Sequence, residues 1–330
     1  MSHIKVENLK KSFYISEKDP GLKGSLKGMF HRTKREIKAL DNISFEIEKG
    51  EFLGYIGPDG AGKSTTIKIL SGILTPDSGN CIVNGRVPWK ERIKHVAKIG
   101  VVFGQRTQLW WDLPVVESFD LLKNIYKIPE TKYQNNKKDL VELLKLEEFI
   151  TIPVRQLSLG QRMRCEIAAS LLHDPEILFL DEPTIGLDAV SKLVLRDFIK
   201  KINQERQVTV ILTTHDMDDI EALCSRILVI DQGKIFLDGT IAQLRENLRN
   251  ERKLIIELDR EIDDFNDVHT RILSRNGNRV ELLFNPSDIS PADLVRGIMD
   301  KYPIKDIFVE NIPIEEIIAQ LYSTKVKEPV

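Results

Sequence analysis

Residues Gly57-Pro58-Asp59-Gly60-Ala61-Gly62-Lys63-Ser64 restrict this chain to few architectures. They fit G-x-x-x-x-G-K-[ST] at every fixed position. The pattern is short, so its flanks decide its meaning. Residues 51–56 ahead of it read as a short apolar strand. Thr65-Thr66-Ile67-Lys68-Ile69-Leu70 behind it open a helix with an apolar face. Strand, glycine loop and helix start, in that order, make a phosphate-binding loop. The glycines let backbone N–H groups turn toward anionic oxygens, and the helix end adds partial positive charge. A glycine turn that holds no ligand does not require the Lys63-Ser64 pair. Gly57, Pro58, Asp59, Gly60, Ala61, Gly62, Lys63, Ser64 and Thr65 are therefore the candidate nucleotide contacts. Lys63 has the reach for the β- and γ-phosphates, and the Ser64 hydroxyl suits Mg²⁺.

A second element narrows the chemistry. Ile177-Leu178-Phe179-Leu180-Asp181-Glu182 is an apolar strand ending in two acids. Buried strand residues hold Asp181 at a strand's carboxyl end, where nucleotide sites form in α/β sheets. Asp181 is suited to Mg²⁺, and Glu182 to orienting or deprotonating an attacking water. Residues 208–213 form another short apolar run, as expected of a buried parallel strand, with a helical pattern over residues 190–205 between the two. Further strands are expected at 4–14, 39–48, near 81–83 and at 99–103. From 105 to 172 the pattern is mostly helical, with Leu140, Leu143, Leu144 and Leu146 on one face of residues 138–149. The expected fold class is α/β with a parallel sheet and an inserted helical subdomain at about 106–172.

Composition sets the outer bounds. The 330 residues suffice for one large domain and a smaller one. A net charge of −2 supplies no field that would favour nucleic acid. No apolar run spans a bilayer, and the first residues carry no apolar signal core. Cys81, Cys165 and Cys224 are scattered, which reads as isolated thiols in a reducing cytosol. Residues 16–38 are glycine-containing and basic, an insertion between two strands. The insertion is either a solvated loop or a contact for anionic lipid headgroups or a membrane partner.

Leu157-Ser158-Leu159-Gly160-Gln161 stands just ahead of a helix and offers a further anion-binding element in Ser158 and the N–H groups near Gly160. It resembles the signature loop of the ABC transporter family. Gln105 resembles that family's Q-loop glutamine, residues 185–188 its D-loop, and His215 its switch histidine. Phe13, or Tyr14 beside it, stands where the family places an adenine-stacking aromatic. The resemblance covers roughly residues 1–240. Two positions depart from the common pattern: Leu159 where glycine is usual, and Asp59 where asparagine or serine is common.

The resemblance implies a P-loop ATPase cassette that works as a head-to-tail dimer, with a second copy of this chain as the expected partner. ATP and Mg²⁺ would sit on one phosphate loop, completed by Ser158, Gly160 and Gln161 of the other cassette. Glu182 would act as general base and His215 would hold the γ-phosphate and water. Gln105, with Ser64 and Asp181, would sense Mg²⁺. Integral membrane permease subunits would form the pore, placing the chain in the cytoplasm on the inner face of the cell membrane. Residues 106–114, with Trp110 and Trp111, are either a docking surface for those subunits or core. The same segment, together with the chain's ending, resembles the drug, lipid and polysaccharide exporter branch. A soluble ABC ATPase of translation or DNA repair is the alternative, but Gln105 and Ser158 are too close for its long coiled coil. A regulatory module that closes on ATP without turnover is disfavoured by the presence of Glu182 and His215.

After about residue 245 the character changes. Strands are expected at 253–258, 280–284 and 304–309, with a helix from Ser290-Pro291 through Lys301 and a last helix at 313–322. Residues 246–330 read as a small α+β accessory domain with no chemical motif, expected to support assembly.

Overall fold

The computed structural model describes residues 2–16, 34–104, 106–243, 251–262 and 264–312. Gln105, most of the basic insertion and the expected last helix lie outside those residues. The chain divides into two compact units, Met1–Gly239 and Thr240–Val330. The boundary lies a few residues ahead of the expected 245/246.

The first unit begins with two long antiparallel strands, β1 (Ile4–Ser16) and β2 (Lys34–Ile47), joined by β4 (Ser78–Val83) in a three-stranded sheet of order β2-β1-β4. Ser16 pairs with Lys34 at the far end of β1 and β2. The strands thus extend into what the sequence suggests is insertion, and Arg35, Glu36 and Lys38 belong to β2. Cross-strand pairing overrides the polar composition there.

The second sheet contains six strands in the order β5-β6-β7-β3-β8-β9. Its members are β3 (Phe52–Ile56), β5 (Ile99–Phe103), β6 (Ile177–Asp181), β7 (Thr209–Thr213), β8 (Arg226–Asp231) and β9 (Lys234–Thr240). The pairs β5–β6, β6–β7, β7–β3 and β3–β8 are all parallel. β3 and β7 are buried throughout, which explains their unbroken apolar runs. Ile4, Val6, Leu9, Ile43 and Ile47 of the antiparallel sheet, Tyr55, Phe179 and Leu228 of the parallel sheet, and Ile67 and Leu70 form one core.

Helices α1 (Lys63–Leu70), α2 (Arg92–Val96), α6 (Ala189–Arg206) and α7 (Met217–Leu223) accompany the sheet. The helical segment between β5 and β6 contains α3 (Val115–Tyr126), α4 (Glu130–Leu144) and α5 (Leu159–Leu171). The periodicity over 138–149 is only partly helical. α4 starts earlier, at Glu130, and stops at Leu144, with Lys145 left-handed at φ 53°. Leu140, Leu144 and Leu146 are fully buried. Its first half is polar apart from Tyr133, so the apolar period does not reveal it.

The second unit is a four-stranded antiparallel sheet of order β11-β12-β10-β13, from β10 (Arg252–Leu258), β11 (Thr270–Asn276), β12 (Arg279–Phe284) and β13 (Ile304–Asn311). Helix α8 (Pro291–Met299) packs Leu294 and Ile298 against Leu254, Ile256 and Leu282. Ser290 caps it, accepting from the Asp293 N–H at 3.2 Å. β11 is absent from the sequence reading. It is an edge strand, largely exposed, with little apolar alternation to announce it.

Candidate functional site

Parallel pairing brings three strand ends to one edge. Phosphate loop residues follow β3, Asp181 and Glu182 end β6, and Thr214 and His215 follow β7. This is how residues more than a hundred positions apart come to share a site.

The loop is held tightly by its neighbours. A Cβ at Gly57 would stand 2.1 Å from the Ile230 carbonyl oxygen, and Gly62 has φ 115°, so neither position admits a side chain. Gly62 is the N-cap of α1 and supplies no side-chain cap, which leaves the helix's first N–H groups available to an anion. The Lys63 side chain is buried and donates to the Gly57 and Pro58 carbonyls at 2.6 and 3.1 Å. Burial lowers its pKa below the ordinary lysine value, while Asp59, Glu182 and Asp181 oppose that shift. A phosphate would compete with two neutral carbonyls for this ammonium, and the charged acceptor forms the stronger bond.

Ser64 Oγ donates to Asp181 Oδ1 at 3.3 Å. Thr213 Oγ1 donates to the same oxygen at 2.5 Å. The donors that face each other here are a hydroxyl and a carboxylate, all oxygen, which fits Mg²⁺. A cavity of about 260 Å³ opens beside them, lined by Ser64, Lys68, Phe103, Gly104, Arg106 and Glu182, among others.

Glu182 adopts the left-handed conformation at φ 56°. For a glutamate this costs about 1–2 kcal/mol. Its backbone N–H is fixed by the Thr213 carbonyl at 2.9 Å and hydroxyl at 3.2 Å. The turn aims its carboxylate at His215, with Nε2 3.0 Å from Glu182 Oε1. The same nitrogen is 3.2 Å from Asp59 Oδ1. Asp59, Glu182 and His215 thus converge at the mouth of the phosphate loop.

Behind this cluster lies a buried polar network. Asp219, fully buried, accepts from Thr184 Oγ1 at 2.5 Å, from Thr214 Oγ1 at 3.4 Å, and from Arg196 Nε. Lys192 pairs with Asp216 at 2.5 Å. The network ties α6 and residue 184 to the loop that carries His215.

Ser158 is placed elsewhere. It caps α5, accepting from the Gln161 N–H at 3.2 Å, while its own N–H donates to Gln161 Oε1 at 2.9 Å. Gly160 is buried against the start of α6, where a Cβ would lie 2.4 Å from Ser191 Oγ. Leu159 reaches Gly186, whose would-be Cβ is 2.9 Å from Leu159 Cδ2. None of Ser158, Gly160 and Gln161 lines the cavity beside Ser64. Phe13 and Tyr14 are exposed on β1, opposite Ile37 and Glu36. Trp110 and Trp111 are 38% and 49% exposed, so neither is core, and Arg162 lies over the Trp111 ring at 5.8 Å. All three cysteines are buried and free.

Thr213 is a site residue that sequence reasoning missed. Its signal was its register, directly opposite Asp181 in the parallel pair. Arg106 was missed too, since one arginine after a strand carries no signature.

The ABC transporter family profile matches residues 40–185. A methionine import ATP-binding protein of Enterococcus faecalis is 32% identical over 285 residues, covering 84% of this chain and 82% of that protein. The chain belongs to the ABC transporter family. It is an ATP-binding cassette with ATPase activity. A linearmycin resistance ATP-binding protein of Bacillus subtilis is 38% identical over 209 residues, 63% of this chain and 67% of that one. A dimeric cassette in a post-hydrolysis state, bound to ADP and phosphate, superposes with TM-score 0.60 at 26% identity, over 72% of this chain and 98% of its own. The fold is accordingly that of a P-loop ABC cassette. Among the described residues no helix is long and apolar enough to cross a membrane.

Proposed function

We propose that this cassette hydrolyses ATP at the edge formed by β3, β6 and β7, in a dimer of two copies, and drives export through separate membrane-spanning permease subunits at the cytoplasmic face of the cell membrane. The observation that carries the reading is the convergence of Lys63, Ser64, Asp181, Glu182 and His215 at that edge while Ser158 is held elsewhere, on α5. A phosphate-binding serine without a phosphate site of its own calls for a second copy. The cassette dimer bound to ADP and phosphate supports this arrangement.

Lys63 and the first N–H groups of α1 bind the β- and γ-phosphates. Phe13 or Tyr14 stacks on the adenine. Ser64 and Asp181, with Gln105, would hold Mg²⁺, which would neutralise charge on the phosphates. Glu182 takes the proton of the attacking water. His215 Nε2, 3.0 Å from Glu182 Oε1, turns its single N–H from that carboxylate to the γ-phosphate when nucleotide binds. Ser158 and the N–H groups around Gly160 of the partner subunit close the γ-phosphate from the other side and exclude water. The second unit, Thr240–Val330, supports assembly.

Export is favoured by the resistance protein's 38% identity. Import is the competing direction, because the methionine import protein matches well past Gly239. The test is capture of the full chain from detergent-solubilised membranes, with ATPase activity assayed on the eluate. Recovery of a multi-spanning partner is expected, and ATP-driven uptake into inverted vesicles carrying it would establish export. Active ATPase captured without any membrane protein would overturn the transporter assignment in favour of a soluble ABC ATPase.

A further inference from the structure

Glu166 plays no part in the chemistry above, yet it is among the most deeply buried charged groups of the first unit. It lies on α5, two turns past the Ser158 cap, and is 3% exposed. The Thr107 hydroxyl donates to Oε1, and the Gln108 N–H donates to Oε2 at 3.1 Å. Gln108 Nε2 donates in turn to the Glu166 carbonyl at 2.9 Å. Three hydrogen bonds thus fasten residues 107–108 to the helix that presents Ser158. Burial raises the Glu166 pKa, and the Thr107 and Gln108 donors pull it back.

A cavity of about 200 Å³ is lined by residues 106–108 and Glu166 together with Val101–Phe103 of β5, and the Arg106 N–H bridges back to the Phe103 carbonyl at 2.9 Å. Separating residues 107–108 from α5 would leave a carboxylate buried without donors, which is costly. Residues 107–108 and α5 consequently move together or not at all. On the other side, Phe103, Gly104 and Arg106 line the cavity that also contains Ser64 and Asp181. One continuous path leads from the phosphate pocket, through Arg106 and Thr107, to Glu166 and along α5 to Ser158.

We propose that Glu166 is a positioning residue which locks residues 107–108 to α5, so that nucleotide in one copy's phosphate pocket sets the position at which its Ser158 meets the partner's ATP. The inference rests on the dimeric reading given above, and the experiment separates the two. In full-length chains, nucleotide affinity is measured with a fluorescent ATP analogue, turnover by phosphate release, and ATP-driven dimerisation by light scattering in a Glu182→Gln background. Glu166→Ala and Thr107→Val are each expected to leave monomer nucleotide affinity within two-fold of wild type. Each is expected to raise the ATP needed for half-dimerisation and to lower turnover by about ten-fold, about 1.4 kcal/mol. The double variant is expected to be no worse than either single one. Glu166→Gln is expected to recover most of the activity, since its amide accepts from Gln108 and donates to the Thr107 oxygen. Wild-type dimerisation and turnover in both single variants would overturn the proposal. So would additive losses in the double variant, or losses in nucleotide affinity that follow melting temperature. If Glu182→Gln alone fails to dimerise on ATP, the dimeric reading fails first and this inference falls with it.

Discussion

The carboxylate of Asp59 puts a negative charge at the mouth of the phosphate loop, where the proposed site would receive the triphosphate. Its side chain is 94% exposed, and His215 Nε2 lies 3.2 Å from its Oδ1. Two consequences share a direction: the charge repels phosphate, and the pairing occupies the histidine that would hold it. A unit charge at about 5 Å in water contributes about 0.8 kcal/mol. Asp59→Asn should therefore bind ATP about four-fold more tightly, and the gain should shrink as salt rises, in titrations with a fluorescent analogue. Glu182→Gln removes the base but keeps the side chain's shape. It should bind ATP normally, lose turnover by about 10²-fold or more, and accumulate as a dimer on gel filtration. Turnover near the wild-type rate would remove Glu182 from the base role. The identities of both residues were legible in sequence. Their geometry was not: nothing in a glutamate announces a left-handed φ of 56°, which comes from the Thr213 carbonyl and hydroxyl fixing the Glu182 N–H.

The N-cap of α5, Ser158, has one task in the structure and a second that we propose, and the two can be separated. The Ser158 hydroxyl accepts from the Gln161 N–H, which leaves its proton to donate elsewhere. Aspartate caps a helix as well as serine does but cannot donate to a phosphate and repels it. Ser158→Asp should thus hold the melting temperature within about 2 °C while losing turnover by about 10²-fold. At the other end of α5, His173 ties three elements together. It stacks on Tyr126 of α3 with ring centroids 4.0 Å apart, and Nε2 bonds the Ile99 carbonyl of β5 at 2.9 Å. A carbonyl only accepts, so Nε2 carries the proton and the buried Nδ1 has none. Burial lowers the pKa to about 4 from an ordinary 6.5. The folded state favours the neutral ring, so its stability is complete above pH 6.5 and falls as acid approaches pH 4. Urea midpoints should show a loss of about 2 kcal/mol between pH 7.5 and pH 5 that His173→Phe removes. The capping motif was readable from Ser158 and Gln161. The His173 contacts were not, because they join residues on three separate elements.

Two hydrophobic clusters, one in each unit, show how the chain divides. One is shared by the antiparallel and parallel sheets around Tyr55, Ile67 and Phe179, and the other lies between α8 and the sheet of β10–β13. The first was legible because a phosphate loop, an acidic strand end and a histidine after a strand must meet on one parallel sheet. The second was legible only as strands and a helix, since Thr240–Val330 carries no group whose chemistry demands a place. Each unit buries its own apolar side chains, so each should unfold as its own cooperative step. The phosphate loop, the proposed site for ADP, lies wholly in the first unit. At about a hundred times its Kd, ADP with Mg²⁺ should add about 2.7 kcal/mol to that unit alone. For about 240 residues this corresponds to a rise of about 5–10 °C. Calorimetry of the full chain should resolve two transitions, of which ADP moves one. A single transition moved whole would mean that the second unit draws its stability from the cassette, and a nucleotide on the phosphate loop would then stabilise the whole chain.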